Sequence, residues 1–243
     1  MYNTSELKSM LFIDIETSSE YPSYKEFCDK RPGAVKHWAK KAEQHRNTES
    51  HLAALTNDEM YLHMAALSPE FSKVIVISLG QIKFQEGITT SKIRSFYAGS
   101  EREILTEFMG TAQAVFNQSP SVQFAGHNIK NFDFPYLIKR AIINGVAIPH
   151  QFHLHKKKPW ENCLVDTYEI WKFAGWNSAS LDLICDTLNI PSPKTIMEAS
   201  STTEEYWNGN IEKIKTYCEG DVKATMNVML KISGMDMVDE VPF

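Results

Sequence analysis

Acidic side chains in two short stretches near opposite ends of the chain are spaced for metal chemistry. In Leu11-Phe12-Ile13-Asp14-Ile15-Glu16-Thr17 the residues alternate as a strand does, which sends Asp14 and Glu16 to the same face. Two carboxylates pointing together repel unless a cation lies between them. In Tyr217-Cys218-Glu219-Gly220-Asp221 the apolar spacing is helical, and a separation of four stacks the Tyr217 phenol and the Asp221 carboxylate on one face. An acid and a weakly acidic hydroxyl can then approach the strand pair together. The ordinary alternatives are the polar face of an edge strand for Asp14 and Glu16, and a core tyrosine for Tyr217.

A third acid lies in Gly126-His127-Asn128-Ile129-Lys130-Asn131-Phe132-Asp133-Phe134-Pro135-Tyr136-Leu137. Asp133 stands at a helix start, where a carboxylate also serves simply to favour the helix dipole. His150, His153 and His155 form a small cluster, for which a solvated loop is the plainer reading than a metal site.

The elements that must position these groups follow an α/β order. Strands are predicted at Met10 to Ile15, Lys73 to Leu79 and Ile93 to Tyr97, before the first strongly marked long helix. That helix starts at Ser100 with Glu103 as its capping box, and Ile104, Leu105, Phe108 and Met109 form its apolar side. Val122 to Ala125 reads as a fourth strand ended by Gly126. A helix over Phe132 to Ile143 stops at Gly145, a short strand covers Cys163 to Val165, and further helices start near Ser180 and span Ile211 to Ile232. The capping box Thr56 with Glu59 makes the stretch between Glu16 and Lys73 helical.

Taken in order, these acids resemble the DEDD superfamily of 3′-to-5′ exonucleases. The first motif matches Phe12 to Thr17, the second Asn128 through Asp133, and the third Tyr217 to Asp221. Tyrosine four residues before the last aspartate is similar to the tyrosine branch, and within it to stand-alone exonucleases related to the proofreading domain of family B DNA polymerases. Ser68-Pro69-Glu70-Phe71, Lys158-Pro159-Trp160-Glu161 before Asp166-Thr167, and Ser180-Leu181-Asp182 fit as connecting segments. The likeness runs from about Met10 to Ile232.

It implies an α/β, ribonuclease H-like fold, with a five-stranded mixed sheet flanked by helices. The expectation is a single exonuclease domain over 1–243 with a helical insertion at about 17–71. Asp14, Glu16, Asp133 and Asp221 would hold two Mg²⁺ or Mn²⁺ ions, Asp14 bridging them, with Tyr217 completing the catalytic set. Thr17, Asn128 and Phe132 would contact substrate, with capping, turn formation and core packing as their alternatives. Asp166 is expected to support the site or cap a helix.

That donor set suits the chemistry. Phosphodiester hydrolysis needs a nucleophile at neutral pH and charge stabilisation on both the attacking and leaving oxygens, which two cations about 4 Å apart supply. All-oxygen ligation favours magnesium or manganese over zinc. A phenol with a reference pKa near 10 is a poor base but can orient a water.

Composition narrows the class further. The 243 residues are 43% hydrophobic, enough for a sizeable core, and the four cysteines lack metal-ligand pairing, so a soluble, cytoplasmic protein with reduced thiols is expected. A net charge of −5 argues against a protein that coats nucleic acid, whereas an enzyme gripping one chain end needs less positive charge. The expected polymer is the 3′ end of single-stranded DNA, with any polymerase or repair partner acting in trans. An exoribonuclease, a ribonuclease H-like endonuclease and a catalytically silent nucleic-acid-binding protein are the alternatives. Basic residues do gather at Lys30, Arg31, Lys36, Lys40, Lys41 and Arg46, and again at Lys156 to Lys158. Either they are solvated surfaces or the first group helps hold the strand. Reversing Lys36, Lys40 and Lys41 to Glu should then weaken oligonucleotide binding and flatten its salt dependence; an unchanged titration would refute the role.

Overall fold

The structure, a computed structural model, describes residues 1–85, 87–158 and 161–238. Pro159 and Trp160, part of one connecting segment quoted above, lie outside the described residues.

A short helix α1 (Thr4–Lys8) leads into β1 (Met10–Ser19), which is the middle strand of the sheet. The other strands are β2 (Ser72–Gln85), β3 (Ile88–Phe96), β4 (Gln123–Gly126) and β5 (Leu164–Asp166), in the spatial order β3-β2-β1-β4-β5. β1 pairs antiparallel with β2 and parallel with β4; β2 and β3 are antiparallel, β4 and β5 parallel. The sheet is therefore mixed, as expected.

Alternation along β1 divides the core in two. Leu11, Ile13 and Ile15 point to the face covered by α5 (Glu101–Gln118) and α6 (Asp133–Ile143), packing with Ile104, Leu105, Phe108, Phe134 and Leu137. Met10 and Phe12 point to the opposite face, against Val222, Met226 and Met229 of α10 (Ile211–Ile232). Period two then places Asp14 and Glu16 on the α10 side.

Two features hold those layers in place. Gly80 of β2 lets α10 approach closely: a Cβ there would sit 2.1 Å from Met226 Cε and 2.7 Å from Val222 Cγ1. On the other face, the buried Arg140–Glu101 ion pair clamps α6 to α5, with Arg140 Nε donating to Glu101 Oε1 at 2.7 Å and Nη1 to the Pro69 carbonyl at 2.7 Å. Glu101 also accepts from the Val74 amide at 2.8 Å, tying both helices to the start of β2.

Between β1 and β2 run α2 (Tyr24–Lys30), α3 (Pro32–Thr48) and α4 (Asn57–Met64), the last opened by the Thr56–Glu59 capping box. They close around a separate apolar cluster in which Phe27, Trp38, Tyr61 and Phe71 meet at ring distances of 5.0 to 5.9 Å. The stretch is helical as expected, but α3 has 17 residues, so a long helix does precede the second strand. Only Trp38 and Ala42 of α3 are buried, which is why its apolar stripe is hard to see in the sequence. Gly126 is the last residue of β4, as expected, and pairs with Asp166 of β5. Of the remaining helices, α7 (Thr167–Lys172) follows β5, α8 (Leu181–Leu188) packs on α10, and α9 (Thr202–Trp207) lies against β1 and α10.

Overpacking the Gly80 contact should separate α10 from the sheet. Gly80→Val is expected to lower stability by about 1–3 kcal/mol in urea melting; an unchanged midpoint would show that the contact is loose.

Candidate active site

The acids meet where β1, still paired with β2, runs past the carboxyl end of β4, the edge at which open α/β sheets bind ligands. β1 carries Asp14 and Glu16 on its α10 face, in register with Ser78 and Val76 of β2. α10 presents Tyr217 and Asp221 one turn apart towards them. Carboxylate oxygens of Asp14, Glu16 and Asp221 lie within 4.8 Å of one another, forming a group of metal-ligand type among the described residues.

Asp133 stands beside this trio rather than in it. As the first residue of α6 it is buried, 5% exposed, and its Oδ1 accepts the Ile15 amide at 3.2 Å, between the two acidic positions of β1. The β1 alternation that aims Asp14 and Glu16 at α10 turns the Ile15 side chain towards α6, and α6 starts where its first carboxylate reaches the intervening amide.

Burial of like charges dominates the electrostatics. Desolvation, then the charges of Asp221, Asp133 and Glu16, hold Asp14 well above the usual carboxylate range. Glu16 is raised by burial and by Asp221, partly offset by the Thr202 hydroxyl donating to its Oε2 at 3.1 Å. Burial lifts Asp133 and Asp221 to about 7 each, and the Tyr217 hydroxyl donates to Asp221 and draws it partway back. Tyr217 in turn is pushed well above its ordinary value by burial and the surrounding acids, so it stays a neutral phenol. A site that raises four carboxyl pKa values by packing them together is one that a divalent cation would relieve. The donor set fits such an ion: hard oxygen ligands, close together and buried.

Further residues complete the site without having been visible in the sequence. The Cys218 thiol donates to Asp14 Oδ2 at 3.3 Å, so this buried cysteine fixes a carboxylate rather than filling space. Its position next to Tyr217 is the only sequence signal. Thr202, in a region without strong periodicity, gave none. Lys194 pairs with Asp182 at 3.2 Å and brings positive charge to Asp221.

Two openings reach the acids. One, of about 580 Å³, is lined by Glu16, Thr17, Phe132, Tyr217 and Asp221 on one side and by Leu52, Leu55, Leu62 and Leu67 of the inserted helical stretch on the other. The second, of about 190 Å³, is lined by Asp14, His127, Ser180, Lys194, Tyr217 and Asp221. Phe132 thus stands in the larger cleft, its ring 5.3 Å from Tyr136. Thr17 reaches the same cleft, but its hydroxyl donates to the Ala66 carbonyl at 2.8 Å, binding the inserted stretch to β1. Asn128 lines neither opening. It occupies a left-handed turn with φ 60°, and its side-chain oxygen accepts from Asn131 at 2.9 Å.

Asp166 does cap: it accepts the Tyr168 amide at 3.0 Å, and also the Asn128 amide at 2.8 Å and the Lys130 amide at 3.1 Å, which shapes the loop before α6. His153 and His155 stack at 6.0 Å and are not part of a ligand group among the described residues. In the basic stretch, Arg31 pairs with Glu20 and Arg46 donates to the Leu55 carbonyl at 3.1 Å, whereas Lys36 and Lys40 are exposed. No helix among the described residues is long and apolar enough to cross a membrane.

A family model described as "Predicted 3'-5' exonuclease related to the exonuclease domain of PolB" matches residues 66–240. No curated protein matches the chain. Among solved structures, the family B DNA polymerase from the hyperthermophilic archaeon Pyrobaculum calidifontis is similar, with a TM-score of 0.54 and 17% identity over 92% of this chain and 24% of that one. At that identity the likeness is one of fold, and the chain spans about a quarter of the polymerase's length.

The raised carboxyl pKa values set a pH dependence. In the unfolded chain these acids titrate near 4. The folded, metal-free protein therefore holds more protons between about pH 4 and 7, and stability falls as pH rises through about 7. Metal-free protein should melt at lower temperature at about pH 8 than at about pH 5.5, with Mn²⁺ or Mg²⁺ restoring stability mainly at the higher pH. A melting temperature indifferent to pH and to divalent ions would contradict a buried acidic cluster.

Proposed function

Because the chain belongs to the family described as "Predicted 3'-5' exonuclease related to the exonuclease domain of PolB", we propose that it removes single nucleotides from the 3′ end of single-stranded DNA. The observation that carries this reading is the approach of Asp14, Glu16 and Asp221 within 4.8 Å, beside a tyrosine held on the last of them. We assign the whole of 1–243 to one exonuclease domain, of the tyrosine branch, with the helical stretch after β1 as its insertion.

Asp14, Glu16 and Asp221, with Asp133 beside them, would hold the cations, two Mg²⁺ or Mn²⁺ ions by the donor chemistry. When bound, such ions lower the pKa of water and stabilise charge on the attacking and leaving oxygens. The remaining chemistry belongs to the chain. Water oxygen forms a bond to the terminal phosphorus while the bond from phosphorus to the 3′ oxygen of the preceding nucleotide breaks. A nucleoside 5′-monophosphate leaves, the water gives up a proton, and the released 3′ oxygen takes one.

Tyr217 stays protonated beside three acids, so its hydroxyl orients the water by hydrogen bonding and does not deprotonate it. The Cys218 thiol and the Thr202 hydroxyl hold Asp14 and Glu16 in one orientation each. Phe132, in the larger cleft, offers a ring for the terminal base, a contact tolerant of sequence. The apolar lining opposite it suits unpaired bases.

End-labelled DNA and RNA strands with Mg²⁺, Mn²⁺ or EDTA test the reading. A ladder shortening from the 3′ end, stronger on DNA and absent in EDTA, is expected; internal cuts or no cleavage would sink it. Asp14→Ala should abolish the ladder while the protein stays folded by circular dichroism. Tyr217→Phe should slow it about 10²-fold at unchanged KM, the cost of a misplaced nucleophile.

A further inference from the structure

The loop joining α7 to α8 carries two large aromatic side chains in solvent, Trp176 at 97% exposure and Phe173 at 76%. Their neighbour Trp171 packs into the apolar cluster with Ile184 and Val228, so the outward pair is not forced by a shortage of core.

The backbone presents them rigidly. Phe173 and Ala174 both adopt left-handed conformations, φ 45° and 61°, which non-glycine residues rarely do. The turn is closed by the Gly175 amide on the Lys172 carbonyl at 2.8 Å. Its far end is pinned twice, by Ser178 Oγ donating to the Tyr168 carbonyl at 2.9 Å and by His127 Nε2 donating to the Ala179 carbonyl at 3.1 Å.

The loop also lies next to the acids. His127, which pins it, and Ser180, which follows it, both line the smaller opening together with Asp14 and Asp221. Trp176 is three residues before Ala179, hence within about 11 Å of that pinned end even if fully extended. The same opening contains Lys194.

We propose that Phe173 and Trp176 form a stacking platform for bases upstream of the scissile end, so that longer single strands are held better than short ones. The proposal rests on the exonuclease reading, and its occupant is single-stranded nucleic acid because the loop ends at Ser180, which lines an opening onto Asp14 and Asp221. Exposed aromatic faces bind successive bases without regard to sequence.

The test uses Asp14→Ala protein, so that the strand survives the titration, and fluorescence anisotropy of labelled oligothymidylates. Adding Phe173→Ala and Trp176→Ala should weaken binding of a twelve-nucleotide strand at least about fivefold and leave a trinucleotide unchanged. The salt slope should not move, because stacking releases no counterions. Trp176→Phe should retain most of the affinity. Equal binding of the longer strand, or an equal loss with the trinucleotide, overturns the platform. So does unchanged binding with loss of self-association in sedimentation, which would make the loop a protein interface. Hydrolysis of the p-nitrophenyl ester of thymidine 5′-monophosphate by the otherwise native chain reports separately on the exonuclease reading. Its absence alongside a length-dependent binding defect would sink that reading and spare the platform.

Discussion

Everything in this fold answers to the cost of burying like charges on the middle strand, where it runs past β4. Asp14, Glu16 and Asp221 converge within 4.8 Å, and Asp133 stands one amide away. In water such a group would separate; inside the protein each member keeps its proton longer than an ordinary carboxyl. The packing that holds them together cannot be recovered from their mutual interaction, so it has to come from elsewhere.

It comes from the two apolar layers. Ile13 and Ile15 anchor β1 on the α5 and α6 side, and Phe12 on the α10 side, which leaves Asp14 and Glu16 no choice of face. α10 reaches them only because Gly80 lets Val222 and Met226 lie against the sheet. The Arg140–Glu101 pair plays the corresponding part for α6, and through it for Asp133. Small donors then settle the orientation of individual oxygens: Cys218 on Asp14, Thr202 on Glu16, the Ile15 amide on Asp133 and Tyr217 on Asp221.

The inserted helices serve the same site from outside the sheet. Their aromatic cluster makes them a body of their own, and Thr17 of β1 and Tyr136 of α6 fasten it through the Ala66 carbonyl. The resulting cleft sets leucines together with His51 and His63 on the helical side against acids on the other, while the smaller opening combines acids with Lys194 and His127.

Local periodicity made much of this legible in the sequence. Alternation in β1 and the spacing of four in α10 determine where Asp14, Glu16, Tyr217 and Asp221 point relative to their own elements, and capping residues marked the starts of α4, α5 and α8. The same reasoning left α3 unmarked, since most of that helix faces solvent. It could not say that Asp133 would take the Ile15 amide or that Cys218 would donate to Asp14. Those facts depend on which element lies across from which. A repeat along the chain sets the direction of a side chain, but only long-range packing brings two distant directions to one point.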